Sequence, residues 1–183
     1  MLHDAPPSSP HATEPPVYAD RETGANYRNA FEMVNAYIAR FCERPRPGLH
    51  SGPAVDGSRG PSSEAASSMQ IPPLDGTGYT QGKRGSAHIG INVLEDNGVL
   101  MMLAPIMEVP VVGREMFYRR LLELSFLATS DAAFAIDGKN NEVYVRALRR
   151  LSGLDYEEFE DLLQTVAQVA DDWDDVLTKE YGT

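Results

Sequence analysis

The sequence predicts an α+β fold: an antiparallel sheet packed against three helices, in the order α-β-β-β-α-β-β-α. Three observations predict it. Apolar stripes at three- and four-residue steps run through Tyr27–Phe41 and Phe159–Leu177 near the two ends of the chain. Between them lie runs with strand alternation, joined by turn sequences. One of those runs, Val99–Pro110, is apolar at both alternating sets of positions. A strand covered on one face alternates apolar and polar residues, whereas a near-continuous apolar run is covered on both. The run is too short to span a membrane, and its prolines argue against a helix. It is expected to be the central strand, with one face on the chain's own core. Its other face needs cover that the chain does not obviously supply.

The totals bound the classes. The 183 residues suit one domain with a real core, or a smaller domain with extensions. The second fits, because proline, serine and glycine concentrate before Ser86. The net charge of -11 is uneven: residues 1–86 carry 8 basic and 9 acidic side chains, and residues 87–183 carry 8 and 18. Such a surface repels a phosphate backbone, so no nucleic acid partner is expected, and the balance suits solubility or a basic partner segment. Cys42 is the sole cysteine, which excludes an intramolecular disulfide and a thiolate metal cluster. No basic region followed by an apolar run opens the chain, and no stretch is long and apolar enough for a bilayer. A cytoplasmic location without a membrane partner is the expectation.

Taken in order, residues 1–22 read as a disordered tail, polar and dotted with prolines. His3 and His11 in it read as solvated side chains rather than metal ligands. Residues 23–44 hold the first helix, over Asn26–Phe41, with Thr23 or Asp20 as its cap and Glu43-Arg-Pro45 as its end. Cys42, beside the end of the stripe and with no histidine nearby, reads as a buried inert thiol. Residues 45–76 form a disordered Pro/Gly/Ser-rich insertion, either a spacer or a tether that lets the helix dock in more than one way. Residues 77–183 are the main domain.

Within it, Gly76-Thr-Gly78-Tyr-Thr-Gln-Gly82-Lys83-Arg84 fails as a phosphate loop. Its glycine spacing is wrong, Arg84 stands where the hydroxyl is needed, and a strand follows. A short strand near Thr77–Gln81 and a turn through Gly82–Gly85 fit better. Ser86–Leu94 alternates, with Ala87, Ile89, Ile91 and Val93 on one face and His88, Gly90 and Asn92 on the other. Asn97-Gly98 is the strongest short hairpin signal, both turn positions calling for positive φ. The strand Val99–Val109 then returns antiparallel. Gly113–Ala128 is the second helix, with Phe117, Leu121, Leu124 and Ala128 in one stripe. Met116, Leu122 and Leu127 widen that stripe, which implies burial on more than one side. Ala132–Asp137 and Val143–Arg149 make a second hairpin, whose Asp137-Gly-Lys-Asn-Asn-Glu142 does not follow the calcium-loop register. Arg146, Arg149 and Arg150 face the acidic last helix. Asp155 caps that helix, with Glu158 as its capping-box partner. Asp171-Asp172-Trp173-Asp174-Asp175 offers either a solubilising face or a contact for basic partner residues; without a histidine it does not read as a cation site.

At these residues a family likeness emerges. Gly85-Ser-Ala-His-Ile-Gly-Ile-Asn-Val and Leu103-Ala-Pro-Ile-Met-Glu-Val-Pro110 resemble the YbjN family. So do Tyr118-Arg-Arg-Leu-Leu-Glu-Leu, Ala133-Phe-Ala-Ile-Asp-Gly and Leu154-Asp before a last helix carrying Ala170-Asp-Asp. The likeness covers roughly Tyr79 to Gly182. It departs from the family in the tail and the long insertion after the first helix. The resemblance implies the type III secretion chaperone-like fold and a homodimer, often paired through the second helix and adjoining sheet. It implies a non-enzymatic chaperone or regulatory adaptor without a cofactor.

Two functions compete from the sequence. One is a dimeric module holding an apolar segment of a protein client against its sheet and first helix. The alternative is a signalling or transcription-linked regulator whose tail and linker carry the partner contacts. No catalytic or metal constellation stands out, so an enzyme is not expected. The expected partner or dimer interface comprises Leu100, Met102, Ala104 and Ile106, or the opposite set on that strand, with Phe117, Leu121 and Leu124 of the second helix.

Overall fold

The computed structural model describes residues 18–20, 22–43, 69–84 and 87–182. The readings made on residues 1–17 and 44–68, His3 and His11 included, lie outside the described residues. Two short strands, β1 (Tyr18–Ala19) and β2 (Asn26–Tyr27), precede helix α1 (Ala30–Glu43). Strands β3 (Tyr79–Arg84), β4 (Ala87–Leu94) and β5 (Val99–Glu108) follow, then helix α2 (Arg114–Leu127). Strands β6 (Ala133–Asp137) and β7 (Glu142–Arg150) and helix α3 (Tyr156–Tyr181) complete the chain. Strands β3 to β7 form one antiparallel sheet in the order β3-β4-β5-β7-β6. The fold is α+β in the expected element order, with the β1–β2 hairpin added in front.

The core follows from the alternation. Ile89, Ile91 and Val93 of β4 are buried, and the register sets Ile91 beside Met102 and Val93 beside Leu100 of β5. Met102 in turn neighbours Ala147 of β7, and Ala104 neighbours Val145. This layer is covered by α3, whose Phe159, Leu162, Leu163, Val166, Ala167 and Ala170 are buried in the same cluster. Helix α1 adds Ala30, Met33, Val34, Tyr37 and Ile38. The Tyr37 ring meets Tyr156 edge-on at 5.8 Å, and its hydroxyl donates to the Leu154 carbonyl at 3.2 Å. A smaller cluster joins Phe117, Leu121 and Leu124 of α2 to Val109, Val143 and Leu177.

Helix ends are set by side chains. The Asp155 carboxylate accepts the Glu158 N–H at 2.9 Å, the cap expected for α3. At α1 the cap is Asn29, whose side chain accepts the Glu32 N–H at 2.8 Å, not Thr23 or Asp20. The helix starts later than expected because Asn26–Tyr27 pair with Tyr18–Ala19. Asp20 instead accepts the N–H groups of Glu22 at 2.8 Å and Thr23 at 3.3 Å, turning the chain between β1 and β2. Tyr18 and Asp20, which the sequence places in the tail, are buried. The β4–β5 turn differs too. Glu95–Asn97 make one 3-10 turn and only Gly98 takes a left-handed φ, of 64°, so the loop is longer than a two-residue Asn-Gly hairpin.

Candidate partner-binding site

The structure sorts the expected interface residues by face. Leu100, Met102 and Ala104 point from β5 toward the helices, and Met102 has no exposed surface. Phe117, Leu121 and Leu124 point from α2 into the smaller cluster, and Ile106 is half-buried between the two clusters. These residues are core of this chain: α3 packs over the β5 set, and Val143 at the start of β7 and Leu177 near the end of α3 pack against the α2 set. What stays open is the opposite set on β5 and the opposite side of α2.

The open side of the sheet is assembled by period two. Tyr79 and Gln81 of β3, Gly90 of β4, Met101, Leu103 and Pro105 of β5, and Tyr144 and Arg146 of β7 share it. They line a shallow cavity of about 450 Å³, closed at the far side by Ala135, Ile136 and Asp137 of β6. A Cβ on Gly90 would stand 3.2 Å from the Tyr79 ring, so a side chain there would make the ring shift by a few tenths of an ångström. The Tyr144 hydroxyl donates to the Glu142 carboxylate. That bond, helped by burial, pushes its pKa up to about 12, so the group stays protonated and acts as a donor. The floor is apolar with polar groups at its margin, which suits binding an apolar segment. Arg146 lies on this face, in the same cavity as Asp137 and Tyr144.

Helix α2 carries the second open surface. Phe126 and Leu127 are 85% and 83% exposed, and Met116 and Leu122 are each 72% exposed. Leu122, Phe126 and Leu127 line a depression of about 380 Å³ flanked by the Arg119–Glu123 ion pair at 2.9 Å. A groove of about 220 Å³ between α2 and edge strand β6 continues it, lined by Tyr118, Leu121, Leu122, Phe134, Ala135 and Ile136. Soluble monomers rarely expose contiguous apolar side chains of this size. The sequence pattern marks Met116, Leu122 and Leu127 but not Phe126, which falls outside the stripe that turns inward. The signal was available, since this helix has more apolar positions than one face can bury.

Elsewhere the charges are paired for structure. Of the three arginines expected to face the acidic last helix, Arg149 of β7 reaches Glu158 of α3 at 2.8 Å, and Asp131 at 2.9 Å. Arg146 lies on the open side of the sheet, because strand alternation puts it on the opposite face from Arg149. Cys42 is half-buried beside the carbonyls of Met69 and Ile71. Among the described residues, no three histidine, cysteine, aspartate or glutamate side chains are grouped to hold a metal ion. No helix among them is long and apolar enough to cross a membrane.

Against known proteins, the model of the Tir chaperone protein (CesT) family matches residues 83–174. No curated protein sequence gives a significant match. Among solved structures, the chain is similar to one in the ExsC–ExsE complex, at 21% identity and a TM-score of 0.49, over 81% of this chain and 96% of that one. It is similar to one in the heterodimeric ExoU–SpcU complex from the type III secretion system of Pseudomonas aeruginosa, at 16% identity and a TM-score of 0.46, over 81% and 98%. It is also similar to one in the HopA1–SchA chaperone–effector complex, at 10% identity and a TM-score of 0.47, over 57% and 82%.

Proposed function

Because the chain belongs to the Tir chaperone protein (CesT) family, we propose that it is a non-enzymatic, cytoplasmic, dimeric protein-binding module that holds an apolar segment of a client protein. One observation carries this reading: the exposed apolar row of α2 runs into the groove at β6, next to the apolar open side of the sheet. A second copy packed on α2 and β6 covers the row. The client lies against the sheet and first helix. Leu100, Met102, Ala104, Phe117, Leu121 and Leu124 serve from behind, as the packed layer that presents these surfaces. Fully burying side chains such as Leu122 or Phe126 is worth roughly 1.5 to 3 kcal/mol each, enough for a few of them to hold a dimer. The motifs around Ile89, Ala104 and Leu121 support a YbjN-like member as part of the same reading.

The test separates the two surfaces. Leu122→Asp with Phe126→Asp alters exposed side chains, so the fold persists and sedimentation shows a monomer where the unmodified chain is a dimer. Met101→Asp with Leu103→Asp leaves the dimer and removes the client recovered by affinity purification with the unmodified chain. A double variant at α2 that sediments like the unmodified chain sinks the dimer; an unchanged client profile sinks the sheet surface.

A further inference from the structure

On the open side of the sheet, β5 and β7 present three matched pairs of side chains. The register sets Met101 beside Leu148, Leu103 beside Arg146 and Pro105 beside Tyr144. All six share one face, because strand positions two apart do. The outer pairs are apolar or aromatic, and the middle pair carries a cation. Arg146 is exposed, and among the described residues no acid pairs with its guanidinium. Arg28, Arg40, Arg119, Arg120 and Arg149 each reach a carboxylate. The acids at this face are engaged otherwise. Asp137 accepts the Lys139 N–H at 2.9 Å on one oxygen and the Asn140 side-chain amide at 2.8 Å on the other, and Glu142 accepts the Tyr144 hydroxyl. The run Asp171-Asp172-Trp173-Asp174-Asp175 lies on α3, which packs against the opposite face. In a chain of net charge -11, the centre of this apolar face is therefore a free cation.

A guanidinium presents paired N–H donors that match the two oxygens of a carboxylate. An extended chain rises about 3.3 Å per residue, as the strands beneath it do, so its alternate side chains fall on successive pairs. We propose that this face selects a client segment of the form apolar–x–acidic–x–apolar, whose central aspartate or glutamate pairs with Arg146. The flanking apolar side chains lie on Met101 with Leu148 and on Pro105 with Tyr144. This deepens, and rests on, the proposed client-binding function. A central lysine or arginine is rejected by like charge, and a central leucine strips water from the guanidinium without replacing it. A single negative charge fits better than the two of a phosphate, because Asp137 and Glu142 stand on the same face. Arg146 is thus the residue that decides which apolar segments are held.

The test selects a phage-displayed library of random short peptides on the full chain. The unmodified chain enriches the pattern with aspartate or glutamate at its centre, and Arg146→Glu enriches lysine or arginine there instead. One selected peptide is then made with acetylated and amidated ends, so that only its side chain supplies a carboxylate. Replacing the central acid by its amide weakens binding to the unmodified chain by about tenfold or more, and to Arg146→Gln by less than about twofold. That cycle separates the pair from any effect of the substitution on folding. Equal losses on the two chains, or apolar peptides enriched with no central acid, overturn the proposal and leave the proposed function standing. If no apolar peptide is enriched at all, both fall.

Discussion

Met101 and Met102 are neighbours in the chain with opposite fates. Met102 sits in the layer under α3 with no exposed surface, while Met101 lines the open side of the sheet. An aspartate at position 102 has to be desolvated with no partner, so Met102→Asp is expected to cost more than about 4 kcal/mol and to unfold the domain. Met101→Asp stays in contact with water and is expected to cost about 1 kcal/mol or less. Urea unfolding of the two variants measures the difference, and comparable losses would contradict the assignment of faces. The sequence shows that β5 is apolar on both sides but holds no information about which side is which. With Leu100, Met102 and Ala104 in one set and Met101 and Leu103 in the other, a period of two has no phase to read. The phase is set from outside the strand. Ile89, Ile91 and Val93 of β4, whose pattern is legible, lie beside the buried set through the register of the pair.

Among the elements, those with long periods were legible and those with two or three residues were not. Helices α2 and α3 and strands β4 to β7 lie close to their expected positions, and Asp155 caps α3 as its capping box implies. Two-residue strands have no period, so the sequence alone places Tyr18–Ala19 in the tail and Asn26–Tyr27 in the first helix; Met69–Leu74, short and broken by Pro72-Pro73, falls with the insertion. The β1–β2 hairpin is held by charge as much as by burial. Arg40 of α1 reaches Glu22 at 2.8 Å and Asp20 at 3.8 Å, and its guanidinium lies 3.8 Å over the Tyr156 ring. Burial pushes the Asp20 carboxyl up, but the N–H groups of Glu22 and Thr23, the Thr23 hydroxyl and Arg40 outweigh it and hold the carboxyl below the ordinary aspartate value. With its folded pKa below the unfolded one, ionised Asp20 stabilises the fold above the ordinary value. That stabilisation disappears as pH falls through the lowered value. The urea midpoint of the unmodified chain is therefore expected to drop below about pH 4. Asp20→Asn is less stable at neutral pH and flatter across that acid window. Parallel curves for the two chains would show that Asp20 contributes nothing through its charge.

At the scale of the whole molecule, the charge works against the proposed dimer. The chain carries a net charge of -11, most of it after residue 86. Two copies brought together on α2 therefore repel one another over the distance of a Debye length, about 30 Å at 10 mM salt and 8 Å at 150 mM. The contact itself is lined by Leu122, Phe126 and Leu127, with Arg119 and Glu123 already paired within one helix. An apolar contact between two like-charged bodies strengthens when salt screens the repulsion, whereas a contact made by ion pairs across the interface weakens. Dimerisation is therefore expected to tighten by about threefold or more between 10 and 150 mM salt. A client segment rich in lysine or arginine is expected to show the opposite trend, because it binds an acidic surface. Sedimentation velocity at the two salt concentrations measures the first effect. A dissociation constant that rises with salt would assign the dimer to charged residues and remove α2's apolar row as its cause.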